Sequence, residues 1–475
     1  MFILIYLNHF YNFINKIFIK NKKFMFLLNW LFFMHFISIF GILFYVFFGK
    51  NKISKRFEKY KEILSRINKE WKKKRNKKKI VFSYRYSKTA HPLFQFCNLQ
   101  QDLQSMKIEK IKLYTNTKRF MQSLLVDIKN AKYSIDIVFY IWNSKGIVYK
   151  VTKELINAAK RGVCCRIILD DAGSKKFFKS KNYKLFLSYG INIVKAFKIN
   201  IFSLFITRID LRQHKKMIII DEKQAYIGSM NMVDPCFFKK NIGIGNWIDI
   251  MIKIHGPIIF YIKMIFNCDW EFETGKKILL PCINLKKNKI FKKNDSIHYI
   301  ASGPGFKKGI IHKAFLIAIH SARKKIIITT PYFIPTNDLV YAICTAAQRG
   351  VKVFVIIPKK IDSFPVYWAR RVFFKDLLTS GVVIYQFFHG LLHTKSILID
   401  NRLSLIGTAN FDMRSLWLNS ELTIIIDSKK FGKKLKKLQE KYIALSKAIS
   451  FYSWKKRPIW KKLLERFFYL FSPLL

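Results

Sequence analysis

One stretch of this chain occurs twice, and that repetition limits the possible folds more than any other feature. Residues 214–231 are HKKMIIIDEKQAYIGSMN, and residues 393–410 are HTKSILIDNRLSLIGTAN. Counted from the histidine, both copies have Lys at +2, Asp at +7, Gly at +14, Ser or Thr at +15 and Asn at +17. Agreement at all of these positions is not expected by chance, so the chain contains two copies of one structural unit.

The residue types in the repeat suit chemistry at phosphorus. His and Lys two positions apart share one face of an extended strand, where a neutral imidazole can attack phosphorus and an ammonium can hold the phosphate oxygens. A displacement needs a nucleophile and an acid that protonates the leaving alcohol, so two histidines would suffice. The candidate catalytic pairs are His214 with Lys216 and His393 with Lys395; the candidate phosphate-binding residues are Ser229, Asn231, Thr408 and Asn410.

Four acidic residues are candidates for further roles. Asp221 and Asp400 belong to the repeat and count as candidate catalytic residues, although an Asp at the end of an apolar strand also suits capping of the next turn. Asp249 follows His214 by 35 residues, and Glu421 follows His393 by 28. A carboxylate bonded to the far ring nitrogen would fix the tautomer of an imidazole, and the alternative is an ordinary surface acid.

Around the repeat, apolar strand-like runs alternate with amphipathic helical stretches. A strand, a helix and a strand are predicted at 133–142, 148–162 and 163–170, and again at 324–335, 338–350 and 351–358. Units of this length predict an α/β fold built from a duplicated unit, with largely parallel strand pairing, a covered sheet and a join near residues 285–297. The sequence pattern of residues 185–197 is also repeated at residues 376–388.

The N-terminal region has a different composition. Residues 24–48 contain no Asp, Glu, Lys or Arg, which predicts a transmembrane helix. Residues 2–19 are interrupted by polar side chains and fit a span or an interfacial helix. The basic run at 50–79 favours the cytoplasmic side and would attract anionic headgroups. If there are two spans, Lys20, Lys22 and Lys23 lie in the outer loop against this rule, so the side of the membrane is left open.

The net charge and the cysteine content leave several classes of protein possible. The net charge of +59 indicates an anionic partner, nucleic acid or lipid, although a coding bias towards Lys would also raise it. The seven cysteines include no C-x-x-C pair, which favours reduced thiols over disulfides or a zinc site, and no metal is expected.

The doubled H-x-K-x4-D with G-S/T-x-N resembles the signature of the phospholipase D superfamily. Flanking words, among them AYIGSMNMVDP (225–235), TTPYFIP (329–335) and MRSLWLNSELT (413–423), are similar to those of the bacterial cardiolipin synthase A type. The resemblance is close over residues 108–475. It implies that each half contributes one histidine to a shared cleft, a facing that the spacing alone does not give.

The resemblance also implies how the chain is divided and what it does. One or two membrane helices (1–49), a basic linker (50–107), two phospholipase D-like halves (108–285 and 286–450) and an amphipathic C-terminal tail (451–475) are expected. The tail fits an interfacial segment or a packed terminal helix. The implied activity joins two phosphatidylglycerol molecules into cardiolipin and glycerol through a phosphohistidine, without a cofactor, in a multi-pass protein of the bacterial inner membrane.

Two alternatives remain open from the sequence. The same site could hydrolyse lipids or transfer phosphatidyl groups to another alcohol. A membrane-tethered nuclease would also explain the positive charge, but the apolar N-terminal stretch and the flanking words argue against nucleic acid as the partner. The identity of the nucleophilic histidine and the oligomeric state are left open.

Overall fold

The computed structural model describes residues 54–76, 86–101, 103–198, 211–238, 243, 245–279 and 295–474. The chain divides into two compact units, and the fold below is that of the unit made of Arg56–Ile199 and Asp210–Leu475. The membrane helices expected at 2–19 and 24–48 lie outside the described residues. The same is true of most of the predicted join at 285–297.

The prediction of a multi-pass membrane protein is contradicted in the part of the chain that the structure describes. In those ranges, no helix combines the length and the apolar character that crossing a bilayer requires.

The segment expected to be a basic linker is largely helical and packed. Helix α1 spans Ser54–Asn76, helix α2 spans His91–Gln101, and strand β1 spans Met106–Lys107. Side chains at helical spacing along α1, including Tyr60 and Trp71, are buried. A linker with a solvated surface differs from this helix, in which the lysines lie around a narrow apolar stripe that packs into the core.

The first half contains a run of strands and helices that begins near the predicted residue 108. Its elements are β2 (Lys110–Tyr114), α3 (Thr117–Lys129), β3 (Ser134–Phe139), α4 (Ile147–Lys160), β4 (Cys164–Asp170), α5 (Lys175–Phe178), α6 (Lys181–Ser188), β5 (Asn192–Ala196), β6 (Met217–Ile220), β7 (Gln224–Gly228), β8 (Trp247–Ile248), β9 (Met251–His255) and α7 (Ile258–Thr274).

The second half repeats this order. Its elements are β10 (Ser296–Ala301), α8 (Ile310–His320), β11 (Lys325–Thr329), β12 (Phe333–Ile334), α9 (Asn337–Gln348), β13 (Lys352–Pro358), α10 (Phe364–Ala369), a 3-10 turn (Arg370–Phe373), α11 (Phe374–Thr379), β14 (Val383–Phe387), β15 (Leu391–Leu392), β16 (Ser396–Ile399), β17 (Leu403–Gly407), β18 (Phe411–Asp412), α12 (Met413–Trp417), β19 (Leu422–Asp427), α13 (Lys429–Ala444) and β20 (Ser446–Ala448). The C-terminal segment adds α14 (Phe451–Lys455), α15 (Ile459–Tyr469) and a 3-10 turn (Ser472–Leu474).

Each half is built on one sheet with the same central topology. The first sheet has the order β2-β9-β7-β6-β3-β4-β5, and the second has the order β1-β10-β19-β17-β16-β11-β13-β14-β20. Only β3-β4-β5 and β11-β13-β14 pair in parallel within these sheets. The duplicated α/β unit is therefore confirmed, but the prediction of largely parallel pairing was wrong. The strand after each histidine returns through a tight turn to its neighbour, and such a hairpin is antiparallel.

The two sheets contribute to one continuous apolar cluster. It includes residues of β6, β7 and β9 from the first sheet, of β10, β17 and β19 from the second, and of helices α7 and α13. From Ile258 to Phe272, every side chain of α7 is buried. A helix that is buried all round lies inside the fold, so α7 is a central element of the core.

The core also contains an ion pair next to the first histidine. Strand alternation turns Lys215 away from the side that bears His214 and Lys216, and its Nζ donates to the two carboxylate oxygens of Asp269 at 2.9 and 2.8 Å. Tyr60 donates its hydroxyl to the same carboxylate at 2.8 Å. The pair is buried and links the catalytic segment to α7 and α1.

Removing only the cation of this pair is expected to destabilise the folded protein. Lys215→Met leaves Asp269 buried and unpaired, so it should lower the free energy of unfolding by about 3–5 kcal/mol. Lys215→Met combined with Asp269→Asn should recover most of that loss, because the amide oxygen still accepts from Tyr60. Urea denaturation of the full chain in detergent measures both values. Equal stability of the single and double variants would contradict the pairing.

Candidate active site

The two histidines of the repeat occupy equivalent places in the two halves. His214 lies just before β6, and His393 lies just before β16. Both line one cavity of about 1250 Å³, whose walls come from both halves. The shared cleft that the resemblance implied is therefore present in the structure.

Backbone hydrogen bonds fix each histidine to the opposite half. The N–H of His214 donates to the carbonyl of Ser420 at 3.0 Å, and the N–H of His393 donates to the carbonyl of Ile248 at 2.9 Å. In both cases the accepting residue stands immediately before a candidate acid, Glu421 or Asp249. Each half therefore extends the segment before its acid to the histidine of the other half, and the two contacts are equivalent.

The same exchange places a carboxylate against each imidazole. His214 Nδ1 lies 2.8 and 2.9 Å from the two oxygens of Glu421, and His393 Nδ1 lies 2.8 Å from an oxygen of Asp249. Because an ionised carboxylate only accepts, Nδ1 carries the proton and Nε2 keeps its lone pair. The sequence indicated that these acids would orient the imidazoles, but it did not indicate that each acid serves the histidine of the other half.

Burial sets the protonation of the imidazoles. Desolvation lowers the pKa of His214 to about 4 despite the opposing effect of Glu421. Desolvation also lowers the pKa of His393, against the effect of Asp249. Both imidazoles are therefore neutral at neutral pH, which is the form that can act as a nucleophile.

The lysines of the repeat stand beside the histidines. Lys216 Nζ donates to the carbonyl of His214 at 2.7 Å, and Lys395 Nζ donates to the carbonyl of His393 at 2.7 Å. Lys395 Nζ also lies 3.1 Å from Nε2 of His393. Burial lowers the pKa of Lys216 to about 7 and that of Lys395 to about 8. Both amino groups therefore lie buried beside the histidines, where their cationic form is poorly solvated, and neither lysine is among the residues that line the cavity.

The two hydroxyl residues predicted to bind phosphate, Ser229 and Thr408, are not among the residues that line the cavity. Thr408 Oγ1 donates to Glu421 Oε2 at 2.5 Å and accepts from the N–H of Leu422 at 2.9 Å. Burial would raise the pKa of Asp249, but His393, Lys395 and a hydrogen bond from Ser229 hold it below its ordinary value. Ser229 and Thr408 are both fully buried, so their hydroxyls support the carboxylates rather than face the cavity.

The two asparagines of the repeat do reach the cavity. Asn231 and Asn410 both line it. Asn231 Oδ1 accepts from the N–H of Ile141 at 3.2 Å, which leaves its NH₂ group as a donor for a ligand. Asn410 Oδ1 has no hydrogen-bond partner within the described ranges. Of the four predicted phosphate-binding residues, these two are positioned to contact a substrate.

The aspartates of the repeat lie at the far end of the strand from the histidines. Asp221 accepts hydrogen bonds from the N–H groups of residues 132–134, and Asp400 accepts from those of residues 323–325. Neither lines the cavity. They anchor the turn before the first parallel strand of each half, the capping role left open by the sequence, and a catalytic role for them stays a prediction.

The glycines of the repeat allow two strands to approach closely. A Cβ at Gly228 would lie 2.3 Å from the carbonyl oxygen of Ile250, and one at Gly407 would lie 2.3 Å from that of Leu422. These carbonyls belong to the residues that directly follow Asp249 and Glu421. Any side chain here would push the acid-bearing segment away, so glycine is required for the carboxylates to reach the histidines.

Aromatic side chains complete the walls around the histidines and were missed from the sequence. The ring of Tyr140 lies 5.1 Å from that of His214, and the ring of Trp247 lies 4.5 Å from that of His393. Tyr332 lines the cavity and donates to Asp362 at 2.8 Å. The sequence does carry a signal, because aromatic residues follow β3 in YIW and β11 in PYFIP, but it resembles ordinary core composition.

A metal site was not expected from the sequence. Across the described ranges, no three or more His, Cys, Asp or Glu side chains are grouped so as to hold a metal ion. The cysteines that the structure describes are free thiols, and Cys282 lies outside those ranges.

Comparison with known proteins supports both the fold and the family. The sequence profile of the family described as "Cardiolipin synthase, PLD-like domain" matches residues 124–249 and 315–443, once in each half. A cardiolipin synthase A of Wigglesworthia glossinidia brevipalpis is 50% identical over 449 residues, which are 94% of this chain and 90% of that protein. One of Serratia proteamaculans is 45% identical over 97% of this chain and 95% of that protein.

A solved structure shows the same fold at low sequence identity. The crystal structure of a phosphatidylserine synthase of Haemophilus influenzae Rd KW20 superimposes with a TM-score of 0.59 at 15% identity, over 82% of this chain and all of that one. This likeness supports the duplicated architecture described above.

The orienting carboxylates can be tested one at a time. Glu421→Gln and Asp249→Asn are each expected to lower kcat by about 10- to 100-fold, because the imidazole loses its fixed tautomer and orientation. The matched control is Glu154→Gln on α4, because Glu154 is not among the residues that line the cavity. Circular dichroism should show that folding is unchanged. If a variant keeps its kcat, the acid it replaces does not orient the imidazole and its role is structural.

Proposed function

The chain belongs to the cardiolipin synthase family of phospholipase D-like enzymes, and we propose that it joins two phosphatidylglycerol molecules through a phosphohistidine. The observation that carries the proposal is the single cavity lined by His214 and His393, each held by a carboxylate of the opposite half. This arrangement supports two consecutive displacements at one phosphorus, with both histidines taking part.

In the first step, Nε2 of one histidine attacks the phosphorus of the first lipid. A bond from nitrogen to phosphorus forms, and the bond from phosphorus to the headgroup glycerol oxygen breaks. The other histidine donates a proton to that oxygen, so free glycerol leaves. The bound phosphate supplies the negative charge that raises the pKa of this second imidazole and allows it to hold the proton.

In the second step, a glycerol hydroxyl of the second lipid attacks the phosphohistidine. The histidine that gave up its proton now accepts the proton of the attacking hydroxyl. The nitrogen–phosphorus bond breaks, cardiolipin forms and the first imidazole is restored. A phosphodiester is exchanged for a phosphodiester, so the reaction needs no nucleotide.

The buried lysines would stabilise the negative charge that develops on the phosphate oxygens. Lys216 and Lys395 would bind these oxygens more strongly as the phosphorus becomes five-coordinate, and Asn231 and Asn410 would add amide donors from the cavity wall. Donors that are already in place do not have to reorganise during the reaction. Either histidine can take either role in this scheme, because both have Nδ1 bonded to a carboxylate.

The experiment is incubation of the purified full chain with phosphatidylglycerol in mixed micelles. Release of glycerol in equal amount to a four-chain lipid is expected, and His214→Ala and His393→Ala should each abolish it. The double variant should cost little more than either single variant, because the histidines act as a unit. Mainly phosphatidic acid at high lipid density would identify a hydrolase, and near-normal activity of either single variant would contradict the shared site.

The lysines predict an alkaline limit to activity. As the pH rises through about 7 and 8, the pKa values of Lys216 and Lys395, the free enzyme loses the cations that hold phosphate. We expect kcat/KM for phosphatidylglycerol to fall between pH 7 and 9 by about tenfold or more. The limit in kcat should lie at higher pH, because bound phosphate favours the protonated lysines. A kcat/KM that is constant over this range would contradict the assignment.

A further inference from the structure

The C-terminal helix α15 has two unlike sides. One side packs against the second half through Glu465, which is buried and lies 2.9 Å from both Arg371 and Arg457, and through the rings of Phe468 and Tyr469. These contacts fix the rotation of the helix about its axis. The other side therefore cannot turn inward to cover its apolar residues.

That other side is apolar and exposed. Ile459, Trp460, Leu463 and Phe467 are 72%, 55%, 61% and 50% exposed. At 3.6 residues per turn they fall within an arc of about 100° on one face of the helix. The ring of Trp460 lies 6.2 Å from that of Trp368 on α10, and Phe364 on the same helix is 64% exposed, so the surface continues onto α10. We call these five residues the apolar face.

The apolar face is bordered by positive charge. The segment from residue 451 to the end contains six basic residues, and its single acid, Glu465, is already paired inside the fold. Lys462 and Arg466 are exposed and lie next to the apolar arc, while Lys455 and Lys456 are exposed just before the helix. An apolar arc with a cationic border is typical of helices that lie in the interface of an anionic bilayer.

Residues close to the apolar face along the chain also line the catalytic cavity. Leu474, which follows α15, lines that cavity, as do Ser363 and Val366 on either side of Phe364. A lipid that reaches the cavity must leave a bilayer with its headgroup first, and its acyl chains need an apolar path. A surface that connects cavity and bilayer would supply this path.

We infer that the apolar face of α15 and α10 seats the mouth of the cavity on the surface of an anionic lipid bilayer. The apolar side chains would enter the interface, the neighbouring lysines and arginine would bind anionic headgroups, and phosphatidylglycerol would pass directly from the bilayer to the histidines. This inference rests on the proposed function for its substrate, but the lipid contact itself can be measured without any turnover.

The first test measures depth in the bilayer on the full chain. A fluorophore that responds to polarity is attached at Leu463→Cys, in a background where the exposed Cys164 and Cys236, and also Cys282, are replaced by serine. With vesicles that contain phosphatidylglycerol, we expect a blue-shifted emission and quenching by spin-labelled lipid. The same label at Leu99→Cys, a position 69% exposed on α2, should show neither. Equal behaviour of the two labels would overturn the inference.

The second test separates bilayer contact from chemistry. Leu463→Ser with Phe467→Ser should lower kcat/KM for phosphatidylglycerol in vesicles by about tenfold, since two apolar side chains no longer enter the interface. Turnover of a short-chain phosphatidylglycerol, dissolved as monomers, should change by less than about twofold. The matched control, Leu99→Ser with Val126→Ser, removes two exposed apolar side chains elsewhere and should leave both activities unchanged.

Each outcome of these tests has a distinct meaning. Equal loss on vesicle and monomeric substrate would place the two residues in folding or catalysis and overturn the inference. A change of oligomeric state in the Leu463→Ser, Phe467→Ser variant, seen by light scattering, would assign the apolar face to a second copy of the chain instead. If no cardiolipin forms from either substrate, the proposed function fails, while the fluorescence result still decides the bilayer contact.

Discussion

The active site depends on the exchange of a carboxylate between the two halves. Glu421 orients His214, and Asp249 orients His393, so neither half can form a complete imidazole–carboxylate pair alone. The exchange is supported by backbone bonds from each histidine to the residue before the partner acid. It also requires Gly228 and Gly407, where any side chain would displace the acid-bearing segment. The duplicated fold is therefore a condition for the chemistry, because it brings the two exchanged segments together.

The sequence was sufficient for the parts of this arrangement that depend on local spacing. His–Lys pairs two residues apart predicted a shared face, and alternating runs predicted the strands and helices of both halves. The exchange itself joins residues 207 and 144 positions apart, which no local pattern specifies. The contacts of Ser229 and Thr408 could not be predicted for a related reason. A hydroxyl can serve a phosphate or a carboxylate equally well, and only the fold decides which one is near.

Two other differences between the expected and the observed placement of residues have physical causes that the sequence itself partly shows. Helix α1 was expected to be a linker because lysines dominate it, yet Tyr60, Ile63, Ile67 and Trp71 recur at helical spacing and are all buried. Asp221 and Asp400 were grouped with the catalytic residues because the repeat contains them. A strand of four residues, about 13 Å long, separates them from the histidine–lysine face, so a residue of the repeat can serve its turn as well as its chemistry.

The buried lysines show how stability and function oppose each other at this site. Burial lowers the pKa of Lys216 from 10.5 to about 7, and a shift of that size corresponds to a charged form disfavoured on the order of 5 kcal/mol. In the unfolded chain the lysine keeps its proton up to its ordinary pKa, so this contribution to folding is least favourable below pH 7 and becomes more favourable as pH rises towards 10.5. Binding of phosphate follows the opposite trend, because it needs the proton that folding disfavours. The site therefore holds a cation that the fold alone would release, and the anionic substrate supplies the missing partner.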